Sequence, residues 1–153
     1  VRAILSSVIS IELLSLFIEA WGLRSQVLPL RYLTTVPAIP ALGIGEIAIK
    51  IPDLFAALTL RFWGPVSLWV LTSIAFPLLA AWFVNLTNGT KRYDPLSFNV
   101  AKGLLAWIVY VKGGVSGGSG EAVQCGVPGG AQGLLVAAGI GVLASVYEAV
   151  LSK

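Results

Sequence analysis

Apolar positions gather into four long runs, separated by stretches rich in polar residues, Pro or Gly. The runs cover residues 3–23, 65–86, 98–112 and 130–151, and three of them reach or approach the roughly 20 apolar residues that a bilayer-spanning helix needs. In the second run Pro65 stands at a natural first-turn position, and Pro77 predicts a kink near the middle. The run at 98–112 is shorter and covers about 22 Å of a roughly 30 Å hydrocarbon core. It spans if Lys102 and Lys112 carry their ammonium groups to opposite interfaces; otherwise it is a re-entrant or interfacial helix.

The pattern changes between the first two runs. Residues 24–64 are apolar but punctuated by Pro29, Pro37, Pro40 and Pro52. Within them "GEIAIKIP" alternates, with Ile47, Ile49 and Ile51 on one face and Glu46, Ala48 and Lys50 on the other, which is strand periodicity. An unpaired strand cannot lie in hydrocarbon, so this stretch is expected at the interface, pairing with "RYLTTV" across "PALGIG". "PDLFAALTLRFW" is expected to lie in the headgroup plane as a short helix, ended by Gly64-Pro65, making 46–63 an interfacial segment. Residues 113–130 are Gly-rich and expected to be a flexible loop. They lack the Gly-Lys-Ser/Thr ending of a phosphate-binding loop.

Composition decides the solvent. The chain of 153 residues is 57% hydrophobic and 11% charged, where soluble domains carry about 25% charged residues. Its mean hydropathy is +0.90. A chain this short cannot hide so much apolar surface in one aqueous core, so lipid is the expected solvent for most of it. The expected fold is therefore a single all-α membrane domain, 1–153, a bundle of about four transmembrane or membrane-embedded helices. The opening Val1 and the absence of Met point to a piece of a longer protein.

The net charge of +3 rests on scattered Lys and Arg rather than the basic stripe of a nucleic-acid binder, so no nucleic acid is expected as a partner. If all four runs span, the amino end, residues 87–97 and the carboxyl end share one side, with Arg2, Lys91, Arg92 and Lys153. The positive-inside bias then places that side in the cytoplasm and leaves the sequons at Asn85 and Asn88 idle. Arg24, Arg31, Lys50 and Arg61, spread along the first loop, pull the other way.

There is no His, and Cys125 is alone, which removes the commonest general base, the commonest metal ligand and any intrachain disulfide. No catalytic, cofactor-binding or metal-binding constellation is recognisable. The clearest pattern is a ladder of small residues, Gly133, Ala137, Gly141, Ser145 and Ala149, recurring every four positions and expected as a helix-packing ridge. Its partner is a helix of this chain, a second copy, or another membrane protein. The second pattern is Glu12, Ser15 and Glu19 on one face of the first run, with Glu12 near its centre. Such acids are neutral, paired or facing water, and serve a proton or cation relay, a partner contact or simple bundle structure. Lys102 and Glu148 are expected to form an ion pair near one interface. Trp21, Trp63, Trp82 and Trp107 sit as belt residues do.

The stretches "VPAIPALG", "IPDLFAALTLRFWGPVSLWVLTS", "YDPLSFNVAKGLLAWIVY" and "GVPGGAQG" together resemble multi-span membrane proteins of filamentous fungi, from about residue 36 onward. The resemblance implies long basic tails outside the membrane part and a place in the endoplasmic reticulum or nuclear envelope. It implies no reaction, so it assigns no functional residue. The leading expectation is a non-enzymatic anchor or scaffold in a lipid bilayer. The alternative is a small channel or transporter subunit using Glu12 and Glu19.

Overall fold

The computed structural model describes residues 7–36, 47–87, 93–113 and 117–151. The turn expected at "PALGIG", the sequon at Asn88, and Arg2, Lys91, Arg92 and Lys153 lie outside the described residues.

Helix α1 (Val8–Val27) begins where Ser7, in extended backbone, accepts the Ser10 N–H with its side chain, satisfying one orphan donor of the first turn. Residues 3–6 of the expected run lie outside the described residues; Glu12 falls in the second turn of α1 while Glu19 lies near its middle. After α1 the chain forms an antiparallel hairpin of β1 (Leu30–Val36) and β2 (Ile47–Pro52), with a register shift between Tyr32 and Thr34. A 3-10 turn at Leu54–Leu58 follows, its first N–H groups capped by Asp53.

The next rod joins α2 (Leu60–Val70) to α3 (Phe76–Thr87) through a π turn at Leu71–Ala75. Gly64-Pro65 was expected to separate two segments, yet the helix runs through both. Pro65 stands in its second turn, where only one backbone bond, to the Arg61 carbonyl, is lost. Pro77 was expected to kink this rod, and a π turn stands immediately before it. There the Phe76 N–H reaches back five residues to the Leu71 carbonyl, the widened turn by which a chain accommodates a ring that would meet the carbonyl four residues earlier.

Helix α4 (Pro95–Ala106) starts at an Asp-Pro pair. Asp94 caps it and Pro95 fills the first helical position, where an N–H is not needed. A second π turn, Trp107–Val111, extends it to a 17-residue apolar rod, Pro95–Val111, longer than the 98–112 run implied. Where a flexible Gly-rich loop was expected, residues Gly118–Gly126 form α5, with Gly120, Val123 and Gly126 buried. The turn after it needs left-handed backbone at Gly129 (φ +76°) and Gly130 (φ +58°), which only glycine adopts without strain. Helix α6 (Gly130–Leu151) completes the chain.

Five helical rods are thus present among the described residues, one more than expected. Four of them alternate in direction, and α4 packs on α3 and α6, while α6 also meets α1. The short α5 wedges between α1 and α2 at the end where α1 finishes. Glycine makes that wedge possible. A Cβ on Gly22 would overlap the Gly126 carbonyl and the Pro128 ring, and a Cβ on Gly126 would lie 2.9 Å from the Leu23 Cα. Backbone touches backbone there, so no other residue fits at either position. Leu23, Val27, Trp69, Ala106, Tyr110, Val123, Val127 and Leu134 form the core around the wedge.

Two rods, Leu60–Asn85 and Gly130–Leu151, are long and apolar enough to cross a membrane. Helix α1 is distinguished by its polarity. Its carboxylates Glu12 and Glu19 are buried, while Ile9, Leu13, Leu14, Phe17, Ile18 and Trp21 point outward, Phe17 at 63% exposure.

Candidate functional site

The buried faces of α1, α2 and α4 meet in an array of polar side chains. On α1 the seven-residue separation brings Glu12 and Glu19 to within about 20° of one another around the helix, and both face inward, Glu19 at 3% exposure. On α4 Asn99, Lys102, Ala106 and Tyr110 fall along one buried stripe by the same periodicity. These two stripes face each other, and Trp69 and Thr72 reach in from the rod that holds α2.

At mid-height the Lys102 ammonium donates to Glu19 Oε1 at 2.6 Å, and the Trp69 indole N–H donates to Glu19 Oε2 at 3.1 Å. Lys102 is 2% exposed, so this ion pair is fully removed from bulk solvent. It replaces the expected partnership of Lys102 with Glu148, which lies on the exposed part of α6. The reason is rotational. Lys102 shares the α4 stripe that faces α1, and Glu19 offers it a carboxylate in the core, where an ion pair experiences the least screening.

One turn of α4 nearer the amino end, the Asn99 amide donates to Glu12 Oε1 at 2.5 Å and the Tyr93 hydroxyl donates to Glu12 Oε2 at 2.7 Å. Asn99 also donates to the Pro95 carbonyl at 2.9 Å. Tyr93 precedes α4 and remains part-exposed. Burial, the hydrogen bond it gives to Glu12, and the negative charges of Glu12 and Asp94 push its phenol well above the ordinary value, so it stays a donor. Toward the opposite end Thr72 and Tyr110 bond at 2.9 Å across the two π turns. Thr72 gives its one proton to the Leu68 carbonyl, so Tyr110 is the donor of that bond. The Gln124 amide then ties α5 to the Tyr110 carbonyl at 3.1 Å. Among the described residues no buried side-chain polar atom lacks a hydrogen-bond partner.

The five residues of the small-residue ladder separate. Gly133 is small because the Pro128 carbonyl folds over it, so it serves the turn before α6. Ala137 is half-buried. Gly141 lies under the Asn99 amide, which a Cβ would overlap, and Ser145 is buried with its hydroxyl on the Gly141 carbonyl at 2.7 Å. Ala149 is exposed. A line of every fourth residue drifts by about 40° per step, so five members cannot share one face. The buried line is Leu134, Ala138, Gly141 and Ser145, at the spacing of the helix itself. Ser15 does not join the carboxylates; its hydroxyl donates to the Glu12 backbone carbonyl at 2.8 Å.

Sequence reasoning singled out the two acids and Lys102 but not Trp69, Asn99, Tyr93, Thr72 or Tyr110. Asn99 carried a readable signal, since an amide inside an apolar run has to find partners. At the amino end of α1 and α4, an open cavity of about 900 Å³ is lined by Ser7, Tyr93, Asp94, Ser145 and Glu148 among others. No group of three or more acidic, Cys or His side chains among the described residues is placed to hold a metal ion. Comparisons of the chain with protein-family models, with curated proteins and with solved structures find no match.

Proposed function

We propose that this chain is a membrane-embedded helical domain that serves as an anchor or scaffold, without catalysis of its own. The supporting observation is its inverted polarity. Lys102, Glu12, Glu19, Asn99, Thr72 and Ser73 are buried, while Phe17, Trp21, Phe76, Trp82, Phe83 and Leu143 are turned outward. In water such an arrangement exposes apolar surface and buries charge, opposing both contributions to folding. In lipid both are satisfied, because hydrocarbon accepts the outer surface and every buried side-chain polar atom among the described residues has a partner.

The anchor reading also accounts for the cross-ties. Glu19 joins three helices through Lys102 and Trp69, holding the bundle in one arrangement. A channel or transporter subunit working through both acids would require Glu19 to exchange its partners, and that carboxylate is held on both oxygens. The resemblance to fungal multi-span proteins supports an endomembrane, the endoplasmic reticulum or nuclear envelope, as its place. The unpartnered apolar outer faces fit lipid and a membrane-protein partner or second copy.

The test is extraction of the full-length protein in a mild detergent, followed by the mass and composition of the complex. Stoichiometric foreign proteins are expected. A clean homo-oligomer that conducts ions in liposomes, with conduction lost in Glu12→Gln, would replace the scaffold reading with the channel.

A further inference from the structure

Three ionisable side chains are buried together along the α1–α4 seam: Glu12, Glu19 and Lys102. Two carboxylates and one ammonium leave one negative charge unbalanced. Lys102 is bound to Glu19, so the imbalance falls on Glu12. Lys102 also acts on Glu12 through space, but among the described residues no other group facing Glu12 carries a positive charge. From the turn before α4 comes the Tyr93 phenol, a neutral donor; from α4 the Asn99 amide, also neutral; and from α6 the negative Glu148, which acts on Glu12 through space. Along α1 itself the next ionisable group inward is Glu19. Asp94, beside Tyr93, is negative as well and is engaged with the Leu96 N–H and the Ser97 hydroxyl. An uncompensated charge in such surroundings is costly, and the simplest remedy is one added cation.

Access to Glu12 is already built. Tyr93 lines the open cavity of about 900 Å³ at the amino end of α1, and its hydroxyl lies 2.7 Å from Glu12 Oε2. We infer that Glu12 binds one exchangeable proton, delivered from that cavity through the Tyr93 hydroxyl. The step balances simply. The Tyr93 O–H bond breaks as its proton passes to Glu12 Oε2, and the phenol oxygen takes a replacement proton from cavity water. One proton moves from water to the carboxylate, and no electrons are transferred. A metal cation is a poorer occupant, because both Glu12 oxygens already face hydrogen-bond donors rather than a shell of oxygen ligands. With the proton on Oε2 the Tyr93 oxygen can accept it, and the Asn99 amide goes on donating to Oε1, in the space that the missing Cβ of Gly141 leaves for it. Glu19 is held on both oxygens by Lys102 and Trp69, so the two acids on one helix have different duties.

This inference rests on the membrane reading, and the experiment separates the two. The full-length chain is reconstituted in liposomes, shown to resist alkaline extraction, and examined by infrared spectroscopy for a buried protonated-carboxyl band. The expected result is one band that is lost in Glu12→Gln and shifts on transfer to heavy water. In Tyr93→Phe that shift is expected to slow by about a hundredfold, the lower end of what a positioned proton-transfer group contributes. Should Glu12→Gln not assemble, Tyr93→Phe decides, since removing one donor has to move the band's frequency as well as its exchange. Absence of the band at every pH, a band indifferent to heavy water, or unchanged exchange in Tyr93→Phe would overturn the proton site while leaving the membrane reading intact. Release of the chain by alkali would instead remove the membrane reading.

Discussion

Lys102 shows how a single residue is governed by what it faces. Truncating it to Ala leaves the Glu19 carboxylate buried with only the Trp69 N–H, and the expected loss is about 3–5 kcal/mol of stability. Replacing both partners, Glu19→Leu with Lys102→Met, removes the uncompensated charge and is expected to recover most of that loss. Unfolding of the reconstituted protein by heat or by added anionic detergent measures both variants. Glu148→Gln is expected to change stability by less than about 0.5 kcal/mol, as for other exposed positions. Comparable losses in Lys102→Ala and Glu148→Gln would restore the pairing that the sequence suggested. Gly141→Val is expected to cost about 1–3 kcal/mol by pushing the Asn99 amide off Glu12.

Among the elements, α5 departs furthest from the sequence pattern. A stretch reading "GSGEAVQCG" has poor helix propensity, since each glycine costs about 1 kcal/mol relative to alanine in a helix interior. Tertiary contact overrides it. Gly22 on α1 leaves a notch, Gly64 on α2 lies where a Cβ would meet the Ser119 hydroxyl oxygen at 2.6 Å, and Gly126 on α5 completes the close approach. Gly126→Leu is therefore expected to lift α5 from α1. Amide hydrogen exchange over residues 118–126 should accelerate by roughly tenfold or more, the effect of at least about 1.4 kcal/mol of lost local stability. Exchange that stays at the native rate would mean that α5 is held by something other than this contact. Helix α4 illustrates the opposite case. Its start at Asp94-Pro95 was available in the sequence as a cap followed by a first-turn proline, but the apolar run alone placed it three residues later.

Over the whole molecule the tryptophans give the most direct reading. Trp21, Trp63, Trp82 and Trp107 are outward, at 42–62% exposure, while Trp69 is buried at 8% with its N–H on Glu19. Arg24 lies over the Trp21 ring at 5.1 Å and Lys112 over the Trp107 ring at 5.0 Å, pairing charge with aromatic surface near the ends of α1 and α4. In single-tryptophan variants, lipids brominated along their acyl chains are expected to quench the four outward residues and spare Trp69. Equal quenching of Trp69 would mean that the bundle does not exclude lipid from its interior.

The sequence by itself determined what could be settled locally. Apolar runs located most of the rods, Pro77 marked the disturbed turn, and the seven-residue spacing of Glu12 and Glu19 put both acids on one helical face, because periodicity is a property of a single helix. Tertiary structure decided everything that depends on how helices rotate and meet: that Lys102 faces Glu19 rather than Glu148, that Asn99 and Tyr93 converge on Glu12, and that α5 folds into a notch of glycines. Those choices join residues as far as 87 positions apart. They are made by the summed packing of several helices, and no single segment of the sequence contains that sum.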